Sequence, residues 1–218
     1  TYTATVTASD GTNTATQNIT VNVTDANDMA PVFTSGATFS ADENQIAIGT
    51  VVASDDEGDT LSYSISGTDA SLLSIDAATG VLSFKTAPDR EIKSTYVFDV
   101  TASDGINTTT QSVTVNVTDV NDNSPAFTSN ATFSAAENQT SIGTVIATDD
   151  DVDDSVTFTV SGSELSITSA GVLSFKVAPD YETKATYTAT VTASDGTNTT
   201  NQNITVNVTD ANDMAPVF

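Results

Sequence analysis

The chain has no cysteine, no histidine and no tryptophan, and only 5 lysines and arginines against 29 aspartates and glutamates. Each shortage removes a class of chemistry. Without cysteine there is neither a disulfide nor a thiolate metal site. Without histidine as well, the usual zinc centres and imidazole acid–base catalysis are excluded. The formal charge of -24 repels nucleic acid and anionic lipid, both of which require a basic face, and attracts cations. No apolar run approaches the ~20 residues of a membrane span, so this segment is not expected to insert into one. No signal-peptide or lipidation motif occurs. The chain opens in mid-strand at "TYTATVTASD", so an export signal is expected outside it.

Within its 218 residues, 38% are hydrophobic, enough for a packed core, and the abundant Thr and Val favour strands. Internal repetition organises the rest. "DVNDNSP" at 119–125 has near copies, "DANDMAP", at 25–31 and 210–216, spacings of 94 and 91 residues. "ATFSADENQ" (37–45) returns as "ATFSAAENQ" (131–139), and "GVLSFKTAPDRE" (80–91) as "GVLSFKVAPDYE" (171–182). Residues 1–33 match 186–218 at all but two positions, Ala15 against Thr200 and Thr16 against Asn201, an offset of 185. Two alternating repeat types in a longer array are therefore expected. The divisions read as 1–30, the end of a preceding repeat; 31–124, a complete repeat; and 125–218, a second repeat with the start of the next linker.

The hydrophobic period within a repeat is two, the signature of strands. "STYVFDVTAS" puts Tyr96, Phe98, Val100 and Ala102 on one face, and "QSVTVNVTD" does the same for Val113, Val115 and Val117. Turn signals such as "SDGIN", "DDEGD", "AATG" and "SDGTN" separate the strands. About seven strands per repeat and no helix predict an all-β architecture of tandem Greek-key, immunoglobulin-like β-sandwiches. The first two strands, near 1–9 and 15–24, lack sandwich partners, so their apolar face (Tyr2, Val6, Ile19, Val21, Val23) requires cover from further chain or a neighbour.

Carboxylates and amides gather at strand ends. In 31–124 they are Glu43 with Asn44; Asp55, Asp56, Glu57 and Asp59; Asp89 and Glu91; Asp104; and Asp119, Asn121, Asp122 and Asn123. Alternating strand direction places the first, third and last groups at one pole and the others at the opposite pole. Stacking then sets Glu43, Asp89, Glu91, Asp119 and Asp122 against Asp149, Asp151 and Asp195 of the next repeat. Like charges ~4 Å apart cost on the order of 1 to 4 kcal/mol per pair. A hard divalent cation with oxygen ligands relieves this, and calcium tolerates irregular cages better than magnesium.

The ordered series Glu-Asn, Asp-x-Asp, Asp-Arg-Glu, Ala-x-Asp and Asp-x-Asn-Asp-Asn-x-Pro, present twice, resembles cadherin repeats over essentially the whole chain. The resemblance implies calcium in each linker as a stiffener. It assigns as ligands Glu43, Asp89, Glu91, Asp119, Asn121 and Asp122, with the carbonyls of Val120 and Asn123, and then Asp149, Asp151 and Asp195. At the preceding linker it assigns Asp25, Asn27, Asp28, Asp55, Glu57 and Asp104. At the following one it assigns Glu137, Asp180, Glu182, Asp210, Asn212 and Asp213. A proline then stiffens each exit, and Phe33, Phe127 or Phe218 anchors the next repeat.

Three departures stand out: Glu57 for the second aspartate of Asp-x-Asp, Met29 and Met214 for the second linker asparagine, and Tyr181 for the arginine of Asp-Arg-Glu. The Thr/Ser/Asn/Asp-rich composition and near-identical repeats look more like prokaryotic cadherin-like domains of large surface proteins. The expected function is a calcium-rigidified extracellular spacer and adhesion module. Its expected partners are neighbouring repeats, with like molecules and surface glycans as further candidates. The alternatives are a segment of an extracellular fibre or sheath, and a carbohydrate-binding sandwich, for which 6% aromatics leaves little material. No catalytic residue is assigned, because carboxylate pairs such as Asp89 and Glu91 are better explained as ligands. Asn-x-Thr sequons occur at Asn18, Asn22, Asn107, Asn116, Asn130, Asn138, Asn198, Asn203 and Asn207; most are read as by-products of Thr-rich outward strand faces, with glycosylation, which depends on the organism, as the alternative.

Overall fold

The computed structural model describes residues 1–152 and 154–214. The chain divides into two compact units, Thr1–Asp89 with Lys93–Val117, and Arg90–Ile92 with Thr118 onward. Among the described residues there is no α-helix; a single 3-10 turn, Ala70–Leu72, interrupts the strands.

In the first unit a four-stranded sheet runs in the order Thr38–Asp42, Thr108–Thr118, Thr95–Ser103, Ser62–Ser66. A three-stranded sheet runs Ala47–Thr50, Val81–Phe84, Leu73–Ile75. Strand residues alternate between faces, and here the alternation is read directly as burial. Tyr96, Phe98, Val100 and Ala102 are buried along Thr95–Ser103, and Val113, Val115 and Val117 along its neighbour, as their spacing predicts. Leu73, Leu82 and Phe84 of the smaller sheet pack into the same cluster, so the two sheets form one sandwich.

The second unit repeats this plan. Its larger sheet runs Thr132–Ala136, Thr199–Thr209, Thr186–Ser194, Thr157–Val160. The edge strand Thr132–Ala136 pairs parallel with Thr199–Thr209, whereas the other pairings are antiparallel. A smaller sheet of Ser141–Thr144, Val172–Phe175 and Leu165–Ile167 supplies Leu165, Leu173 and Phe175 to a core with Phe158, Val191, Ile204 and Val206.

The entry to each unit has one geometry. Pro31 and Pro125 are buried, and Val32–Phe33 and Ala126–Phe127 pair with Ala53–Ser54 and Ala147–Thr148. Phe33 and Phe127 pack on their cores, Phe127 with its ring centroid 6.3 Å from that of Phe158. The third expected anchor, Phe218, lies outside the described residues. The opening hairpin, Tyr2–Ser9 with Thr14–Val21, pairs in register but every one of its residues is exposed.

Candidate metal centre

Three kinds of segment carry the acidic groups: the linker, a loop just beyond the strand that pairs with the entry strand, and the tight turn between the two longest strands. In the second unit these are 118–125, 149–152 with 154, and 195–198. Asp149, Asp151 and Asp195 each bring one carboxylate oxygen into a common group spanning no more than 4.8 Å, and Glu91, Asp119 and Asp151 form another. Backbone hydrogen bonds fix the loop on the linker. The Asn123 N–H donates to Asp151 Oδ2 at 2.9 Å, and the Val152 N–H donates to Asp119 Oδ2 at 2.9 Å. Arg90 donates to the other Asp119 oxygen at 3.1 Å, so the arginine of Asp-Arg-Glu orients a neighbouring acid.

The turn is built from Asp-Gly. The Asp195 carboxylate accepts the N–H groups of Thr197 and Asn198, both at 2.6 Å, which closes an Asx-turn. Gly196 sits at φ +104, a conformation that side chains disfavour, so glycine is required there. Burial pushes the Asp195 carboxyl up, but the Asn198 and Thr197 donors outweigh it and hold the group below the usual range. Asp154 moves the other way, raised by burial and then by the charge on Asp151.

The first unit shows the same construction at 25–31, 55–59 and 104–107. Asp55, Glu57 and Asp59 form its oxygen group. Glu57 uses its extra methylene to span two linker amides, accepting from the N–H of Asp28 at 3.0 Å and of Met29 at 3.0 Å. Those donors hold Glu57 low, while Asp28, facing the Glu57 carboxylate, is raised. Asp25 is exposed. Asp104 closes the equivalent Asx-turn on Ile106 at 2.7 Å and Asn107 at 2.6 Å.

The far end of each unit holds the Glu-Asn motif. Glu43 and Glu137 are 3% and 4% exposed, deeply buried for carboxylates. Asn44 and Asn138 both sit at φ 62, a left-handed conformation that asparagine tolerates better than most residues. Glu137 accepts from the N–H of Tyr181 at 2.8 Å and of Ala211 at 2.6 Å, and groups with Glu182 and Asp210. Asn138 donates to Asp213 at 2.6 Å. Asp180 is engaged locally, accepting from the Thr183 hydroxyl at 2.9 Å. Asp89 accepts the Lys93 N–H on its carbonyl at 2.9 Å, and Asp89, Val120, Asp122 and Asn212 lie at the surface.

The family model "Cadherin domain" matches residues 37–118. The chain is 36% identical over 244 aligned residues to the mouse (Mus musculus) protein "Cadherin EGF LAG seven-pass G-type receptor 2", an alignment covering all of this chain and 8% of that protein. It is 36% identical over 220 residues to human (Homo sapiens) "Protocadherin-11 X-linked", covering 91% of this chain and 16% of the relative. These are cadherin repeats. The solved structure of mouse cadherin-23 EC22-24 superposes with a TM-score of 0.75 at 23% identity, over 96% of this chain and 74% of that one. Human protocadherin-24 EC1-2 gives 0.70 at 23% identity, over 83% and 98%. These two likenesses establish the sandwich fold.

Cadherin domains as a class bind calcium, and the oxygens here suit such an ion. Asp55 Oδ2, Asp149 Oδ2 and Asp195 Oδ2 are buried and have no hydrogen-bond partner. A buried acceptor left unmatched costs about 1–3 kcal/mol, and more when charged. Carboxylates with amide oxygens form a hard donor set, which fits a hard divalent cation.

Sequence reasoning named the carboxylates of this cadherin pair as candidates but did not name the two asparagines that reach the linker, Asn107 and Asn198. The signal was present: "SDGIN" and "SDGTN" end in asparagine at the same place. The turn accounts for Asp-Gly alone, which hid the second role. Asp154, which accepts from the Asn121 amide, was likewise absent from the expected set.

Proposed function

We propose that these repeats are extracellular, that calcium at the linkers stiffens them, and that they act as a spacer and adhesion module of a longer surface protein. The chain spans 8% and 16% of the relatives compared above, so the role of the whole protein belongs to this proposal. The observation that carries the reading is the set of buried, unpartnered carboxylate oxygens on Asp149 and Asp195, grouped with Asp151.

The ligands proposed in the second unit are Glu91, Asp119, Asn121, Asp122, Asp149, Asp151 and Asp195, with the carbonyls of Val120 and Asn123. In the first they are Asp25, Asn27, Asp28, Asp55, Glu57 and Asp104. Glu137, Asp180, Glu182, Asp210, Asn212 and Asp213 prepare a third site, and Glu43 and Asp89 join the set on the sequence resemblance. The repeats are taken as 31–124 and 125–218, with 1–30 closing an earlier one. When bound, calcium supplies positive charge that only oxygen ligands see. It favours the ordered linker over the flexible one by mass action. Repetition along an array multiplies any weak surface contact with a like molecule.

Small-angle scattering of the chain with about 5 mM calcium and with chelator tests the reading, at a level suited to weak extracellular sites. A maximum dimension that lengthens and sharpens with calcium supports it. An unchanged profile, with no heat of calcium binding by titration calorimetry, overturns it.

A further inference from the structure

The linker carries two kinds of oxygen donor. Its carboxylates carry charge, and Asp119 already meets Arg90 on one oxygen and the Val152 N–H on the other. Its neutral oxygens, the Asn121 side chain and the Asn123 carbonyl, are already held. The Asn198 side-chain amide donates to Asn121 Oδ1 at 2.8 Å and to the Asn123 carbonyl at 2.7 Å. Two protons of one nitrogen thus tie two linker residues to a turn 75 and 77 residues away. The turn fixes the donor in turn, because the Asn198 N–H is locked onto Asp195.

The first unit repeats the arrangement with different neighbours. Asn107 donates to Asn27 Oδ1 at 2.8 Å and to the Met29 carbonyl at 3.0 Å. The linker residue whose carbonyl is gripped is asparagine in one unit and methionine in the other, so the grip reads backbone there and does not depend on that side chain.

We infer that Asn107 and Asn198 are positioning residues that hold the neutral linker oxygens in place before any ion arrives. This rests on the calcium reading for its consequence, but the clamp itself is a property of the ion-free chain. Calcium then meets two donors already oriented and spends its binding energy on the carboxylates.

The test uses the full chain carrying Asn198→Ala, Asn198→Asp or, in the other unit, Asn107→Ala. In chelator, amide hydrogen exchange at residues 121–123 is expected to accelerate about tenfold in Asn198→Ala, from the loss of two hydrogen bonds. The core amides of Val191 and Val206 report that the sandwich is intact. Asn107→Ala should do the same at 27–29 and leave 121–123 unchanged. Unchanged exchange at the linker in both alanine variants overturns the inference.

Calcium titration then separates positioning from charge. Asn198→Asp adds a carboxylate, which should tighten a purely electrostatic site. A clamp predicts the opposite, a weakening of about five- to tenfold, because the donor has become an acceptor. Tighter calcium binding by Asn198→Asp would overturn the clamp. A wild-type chain that binds no calcium would overturn the metal reading, and the exchange data in chelator would still decide the clamp.

Discussion

At the scale of the residue, Asp149 and Asp195 behave as acids held in readiness for a partner. Each keeps one buried oxygen without a donor, and the two share a group with Asp151. Removing such a charge should therefore have opposite effects in two solutions. Asp149→Asn is expected to stabilise the chain by about 1 kcal/mol in chelator, by relieving like-charge repulsion. In millimolar calcium it should destabilise by losing a ligand, and thermal melts in the two buffers check the reversal. Asp69 is a carboxylate of a different kind. It is 7% exposed and accepts from Lys93 Nζ and, at 2.8 Å, from the Val97 N–H. Lys93 first, and Val97 second, hold its carboxyl below the usual 3.8. A depressed carboxyl contributes stability that is present above the unfolded value and lost as the pH falls through the folded one. Asp69→Asn should thus cost about 1–3 kcal/mol near neutral pH and flatten the acid limb below pH 3.8, measured by urea unfolding across pH.

At the scale of the element, two almost identical hairpins have different fates. Val21 and Val206 are equivalent by the 185-residue offset, yet Val21 is 54% exposed and Val206 0%. The difference lies in what packs on their faces: Val206 shares a core with Leu165, Leu173 and Phe175 of the smaller sheet, whereas every residue of the opening hairpin is exposed. Val206→Ala should cost about 2 kcal/mol and Val21→Ala less than about 0.5, judged by chemical unfolding. The alternation in "STYVFDVTAS" and "QSVTVNVTD" made the buried faces legible, because a strand has only two sides. Which face finds a partner is not written in that alternation, as the hairpins show. The same limit applies to the candidate site. Aspartates at Asp-x-Asp and Asp-Gly could be read locally, and so could the Glu-Asn pair, whose asparagine takes a left-handed turn. The Asn198 clamp could not, since its partners are brought near only by folding. Glu57, noted as a longer reach, spans two linker amides, which substitution by type did not reveal.

At the scale of the whole molecule, the charge of -24 makes ionic strength a variable. Screening shortens to about 3 Å in molar salt. In chelator, raising sodium chloride from about 10 mM to 1 M should therefore raise the melting temperature, and it should shrink the further gain from calcium. A chain whose melt ignores both would place its acids too far apart to interact. Because each repeat in an array meets only its neighbours, stiffness is expected to be set linker by linker. The 185-residue superperiod then gives alternate linkers different chemistry, Arg90 with Asn123 in one and Tyr181 with Met214 in the other.

The two turns that grip their linkers also keep time. Asn107 and Asn198 each stand in an Asn-Thr-Thr sequon, and the nitrogen that would carry a sugar is the one that donates to the linker. Once the repeat has folded, that nitrogen has no free face for a transferase. A glycan found at either position would record that the sugar arrived first, and would mark a repeat whose linker was never tied.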